Sequence, residues 1–91
     1  MALDYCEAKR FIDTLPWPTG MRPLLRMGQV VERPSGKVGY VALLYRADNL
    51  QRNVQATGPA PEGALLVALM NWIDDHGLPV EMKFRLAKLF H

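Results

Sequence analysis

Between Ala64 and Ile73 the chain carries one polar side chain, Asn71. At about 100° per residue, Leu65, Leu66, Val67, Leu69, Met70, Trp72 and Ile73 surround a helix axis. A helix that is apolar on every side is expected to be buried on every side, so the rest of the chain has to wrap it. Its ends are marked. "TGPAPEG" (57–63) interrupts the chain before it, Pro61 suits a first helical turn, and Glu62 is favourable at a helix N-terminus. Gly77 stands where a helix stops in a left-handed residue, which sets the helix at 61–76.

A second stretch makes the same demand of a sheet. In "GKVGYVALLY" (36–45), Val38, Tyr40, Ala42 and Leu44 point one way from an extended strand, and Val41, Leu43 and Tyr45 point the other. A sheet with one wet face alternates apolar and polar residues, so both faces here are expected to be covered, at least at the centre. Residues 24–33 and 50–56 read as flanking strands. The turns are "RPSGK" (33–37), with Gly36 placed for a left-handed conformation, and "ADN" (47–49). Residues 3–14 read as a helix, with Asp4 as N-cap, Glu7 completing a capping box, and Ala8, Phe11, Ile12 and Leu15 on one stripe. "LPWPTGMRP" (15–23) ends that helix. The last segment, "LPVEMKFRLAKLF" (78–90), alternates like a strand, yet Pro79 at a first-turn position and the many helix formers favour a helix. The expected fold is therefore α+β, one domain over residues 1–91. A three-stranded antiparallel meander packs with helices in the order α-β-β-β-α plus a short C-terminal helix, and a fourth strand is the alternative for that last segment.

The α-β-β-β-α order is similar to that of the double-stranded RNA-binding domain. The resemblance implies a lysine cluster at the start of the last helix of the motif, and here that place reads Pro61-Glu62-Gly63-Ala64. Gly39-Tyr40-Val41 also resembles the G-F-V of an RNA-recognition strand. There the resemblance implies further aromatics on the sheet, where this chain has Val38 and Leu43, and a following helix, where it has a third strand. Neither likeness reaches the residues that would grip RNA, so neither carries a function across.

The 91 residues hold one core, and the net charge of +2 points to no polyanionic partner by itself. Charge is unevenly spread, however. Residues 20–55 carry Arg22, Arg26, Arg33, Lys37, Arg46 and Arg52 against Glu32 and Asp48, a net +4. On the first strand Arg26 and Glu32 share a face and Arg33 lies opposite, so the cations are not expected to form one stripe. The single cysteine, Cys6, excludes an internal disulfide, and no Cys/His cluster has zinc-ligand spacing. No apolar run approaches the roughly 20 residues of a membrane span. An acidic N-terminal segment is unlike a signal peptide, so a cytoplasmic location is expected.

No catalytic constellation is legible. Adjacent helical residues diverge by about 100°, so Asp74, Asp75 and His76 cannot close on one ion without outside help. Ser35, the one serine, sits in a hairpin turn without a neighbouring base. The expectation is a non-catalytic domain without cofactor or metal that binds another protein or a second copy of itself. Small bacterial accessory proteins and phage-encoded inhibitors that dock on host machinery fit this size and composition. The expected contact surface is the 16–26 loop and its arginines, with Trp17 held between prolines as anchor, Met21 beside it, Arg22 and Arg26 pairing with acidic groups, and Arg46 and Arg52 on the sheet rim. Nucleic-acid binding through the basic 20–55 segment is the alternative, and an enzyme assembled around His76, Asp74 or Cys6 ranks third.

Overall fold

Three strands, β1 (Leu24–Val31), β2 (Val38–Tyr45) and β3 (Asn53–Gly58), form one antiparallel sheet in the order β1-β2-β3. The computed structural model describes residues 5–89, with the backbone alone at Leu89. Helix α1 (Tyr5–Thr14) precedes the sheet, and α2 (Pro61–Asp75) and α3 (Glu81–Leu89) follow it. The α-β-β-β-α order with a final helix is therefore the architecture, and the fourth-strand alternative falls away. Asp4, the expected N-cap, lies outside the described residues.

The register explains the sheet's inner face. Leu25 pairs with Leu44 and Leu44 with Val54, and Met27 pairs with Ala42 and Ala42 with Ala56. These residues and Tyr40 point toward the helices. Leu25, Ala42, Leu44 and Ala56 join one buried cluster with Ala8 and Ile12 of α1, Leu65, Leu69, Trp72 and Ile73 of α2, and Met82 and Leu86 of α3. Both left-handed glycine positions hold. Gly36 (φ 72°) turns the β1–β2 hairpin, and Gly77 (φ 62°) ends α2, where the Leu78 N–H donates back to the Ile73 carbonyl at 2.9 Å.

Two expectations need correction. Among the described residues, the sheet is covered on one face only. Leu24, Arg26, Gly28 and Val30 of β1 and Asn53, Gln55 and Thr57 of β3 are exposed on the other face, and Val41, Leu43 and Tyr45 between them are half-buried. The helices lie together on the inner face, where α3 packs on α2 rather than behind the sheet. Nor is α2 buried all round. Gly63, Val67 (45% exposed), Asn71 and Asp74 form an outward line at helical spacing. The nine-residue α3 is too short to enclose it. The apolar excess of β2 and α2 is present, but the described residues leave part of it uncovered.

The two sides of α2 should differ sharply under truncation. Leu69→Ala, at a fully buried site, is expected to cost about 2–5 kcal/mol in urea unfolding, whereas Val67→Ala should cost less than about 1 kcal/mol. Equal losses would show that α2 is enclosed on both sides.

Candidate binding surface

The proline-rich segment 15–23 is pinned at both ends by tryptophan. The Trp17 indole N–H donates to the Ile12 carbonyl at 2.8 Å, and its ring is half-buried against the core. The carbonyl of Met21 accepts from the indole N–H of Trp72 at 3.0 Å, which ties the loop to the middle of the domain. Between these anchors, Asp13, Trp17, Thr19, Gly20, Arg22 and Asp48 line an open groove of about 600 Å³. Its charges are mixed.

Three of the four predicted contact arginines are engaged by the protein's own acidic residues. Arg22 pairs with Asp13 at 3.4 Å. Arg46 grips Asp48 with two hydrogen bonds, Nε to Oδ1 at 2.8 Å and Nη2 to Oδ2 at 2.6 Å. This contact holds the Asp48 carboxyl below its usual range and raises Arg46. Arg52 donates to the Asp75 carbonyl at 3.1 Å and lies 3.5 Å from its carboxylate. Arg26 differs: among the described residues its guanidinium has no ion-pair partner. The six arginines and lysines of residues 20–55 thus form no continuous stripe.

Arg26 stands on the uncovered sheet face. With Leu43, Tyr45, Leu50 and Asn53 it lines a shallow depression of about 210 Å³. Leu24, directly across from Tyr45, and Val30 extend the apolar surface along β1. Leu50 and Val30 escaped the sequence reading. Leu50 was placed in a strand but lies in the loop before β3. Val30 exposes its side chain because it alternates onto the sheet face that the helices leave uncovered. Tyr40, the residue of the RNA-recognition echo, packs on the helix side and is absent from this face.

The acidic and nucleophilic residues do not assemble here. Asp74 pairs with Lys83. The His76 ring is buried, stacks on Trp72 with centroids 4.0 Å apart, and sets Nδ1 3.0 Å from the Trp72 carbonyl. Its buried Nε2 has no hydrogen-bond partner. Cys6 is exposed on α1. No group of three or more His, Cys, Asp or Glu side chains among the described residues could hold a metal ion, and no described helix is long and apolar enough to cross a membrane. In comparisons with known proteins, no family model, curated protein or solved structure matches this chain.

The hydrogen bond and packing of Trp17 have a measurable consequence. Trp17→Ala is expected to lower unfolding free energy by about 2 kcal/mol, and Trp17→Phe, which keeps the ring and loses the N–H, by about 1 kcal/mol. Unchanged urea midpoints for both would free Trp17 to serve purely as a contact residue.

Proposed function

We propose that this chain is a non-catalytic protein-interaction domain that docks through the uncovered face of its sheet. The observation that carries this reading is the apolar strip around Arg26, exposed at Leu24 and Leu50 and half-buried at Leu43 and Tyr45. Exposed apolar surface held on a rigid sheet is the usual form of a protein contact site. An unpaired arginine beside aromatic and aliphatic side chains favours a protein partner that brings an apolar patch flanked by a carboxylate. Arg22, Arg46 and Arg52, already bound to acidic groups of the chain, serve as a polar rim, and Trp17 and Met21 shape the adjoining loop. The size and composition suit a bacterial accessory protein or a phage-encoded inhibitor acting on host machinery.

The test is affinity capture from bacterial lysate with and without nuclease, using the wild type, Leu43→Asp and Arg26→Glu. The wild type is expected to retain a discrete protein through nuclease treatment. Each variant should retain less than about a tenth as much while keeping its circular dichroism spectrum, since a desolvated charge or a reversed one opposes docking. Retention unchanged in both variants would remove the sheet face as the site. Loss of all captured material on nuclease treatment would transfer the function to the basic 20–55 segment.

A further inference from the structure

Strand β1 is an edge strand, and among the described residues its free edge is open over most of its length. The Glu32 N–H donates to the Lys37 carbonyl at 2.8 Å. In the unbroken β1–β2 register, that bond makes 26, 28 and 30 the β1 positions that bond to β2. The backbone groups of Met27, Gln29 and Val31 therefore point outward, and no hydrogen bond within the described residues reaches them. Helix α1 approaches β1 near the strand's start, where Tyr5, Lys9 and Ile12 share a cleft with Pro23, Leu24 and Leu25. None of the devices that usually protect an edge is present from Met27 to Val31: no proline, no lysine and no bulge. Instead Val30 and Val31 are 52% and 54% exposed.

We infer that β1 pairs antiparallel with β1 of a second copy, with Gln29 opposite Gln29 on the twofold axis, joining two three-stranded sheets into one of six strands. This inference rests on the reading of the sheet face as a protein-docking surface and names a second copy as the partner along its β1 border. The side chains select this register. Outward-bonding residues must meet outward-bonding residues, so Met27 faces Val31 of the second copy and Gln29 faces Gln29, each as a hydrogen-bonded pair. On the uncovered face Val30 then lies over Gly28 of the second copy, and Arg26 lies directly opposite Glu32 of the second copy, twice by symmetry. Neither charge has an ion-pair partner within its own chain among the described residues. Arg26 on β1 and Glu32, which directly follows the strand and continues its register through the bond to Lys37, lie on one face six positions apart, the separation this twofold pairing converts into direct contact. An isologous interface needs such self-complementarity. The other edge, β3, offers only Asn53, Gln55 and Thr57 on the same face, with no opposite charges to set a register.

Sedimentation equilibrium of the whole chain from about 1 to about 500 µM tests this, a range that spans the affinities expected of a narrow interface. A reversible monomer–dimer equilibrium is expected. Gln29→Pro removes an outward N–H without touching the ladder to β2 and should weaken the dimer at least tenfold. Arg26→Glu and Glu32→Arg should each weaken it about tenfold, and the double variant should regain wild-type affinity because the pair is re-formed with reversed signs. In a Cys6→Ser background, Gln29→Cys should oxidise to an interchain disulfide, since hydrogen-bonded pairs sit about 5.5 Å apart between Cα atoms. A monomer at every concentration, a dimer indifferent to Gln29→Pro, or a double variant no tighter than the single ones would overturn the inference. A monomeric chain that still captures a protein, and loses it on Leu43→Asp, would retain the sheet-face reading without this partner.

Discussion

Trp72 is the residue on which the other parts converge. It is fully buried in α2, and its indole N–H reaches the Met21 carbonyl, 51 positions earlier in the chain. A buried indole N–H without an acceptor would cost about 1–3 kcal/mol, so the requirement acts in both directions. The helix needs the loop carbonyl, and a proline-rich loop with few hydrogen bonds of its own needs the helix. Trp17 repeats the arrangement on a smaller scale at the end of α1. The irregular segment is thereby fixed without regular secondary structure, and β1 leaves it in a defined direction. On the other side of the Trp72 ring His76 stacks and closes the C-terminal turn of α2.

From this centre the layering is one-sided. α1, α2 and α3 contribute to a single cluster against Leu25, Ala42, Leu44 and Ala56. Among the described residues no helix covers Val41, Leu43 and Tyr45, which rely on neighbouring side chains in the sheet for partial shelter. A small domain buries a smaller share of its surface than a large one, and here the shortfall falls on one place instead of being scattered. This partly apolar sheet face, with Arg26 lacking an ion-pair partner among the described residues, holds only a shallow depression rather than an enclosed cavity.

The distribution of charge follows the same division. Most ion pairs join residues near the loops and helix ends: Arg46 with Asp48, Arg52 with Asp75, Lys83 with Asp74. These exposed contacts contribute little stability individually, but they neutralise much of what looks in the sequence like a basic segment. Within residues 20–55 they leave Arg26, Glu32, Arg33 and Lys37 without an ion-pair partner among the described residues, and of these Arg26 on β1 and Glu32 just beyond it lie on one face. Backbone groups, exposed valines and two complementary charges thus coincide along β1.

The sequence by itself determined the elements and their order. Proline and glycine at 16–23, 36 and 77 break the chain where the structure breaks it, whereas of 57–63 only Pro59 and Ala60 lie between elements, with Gly58 still in β3 and Pro61 opening α2; the 3.6- and 2-residue periods between the breaks are local properties. It also determined that Arg26 and Glu32 share a face, because alternation along a strand needs only the strand. Only the tertiary structure decided which apolar surface is buried. β2 is apolar on both sides and α2 nearly all round, and periodicity alone cannot say which side loses when helices are scarce. That outcome depended on α3 packing against α2. Likewise, whether an arginine is free or held by Asp48 or Asp75 depends on loop paths and long-range contacts, as with Arg52 and the end of α2, 23 positions away. The uncovered sheet face is therefore a product of packing order: the core is satisfied from one side, and the remaining apolar residues stay at the surface.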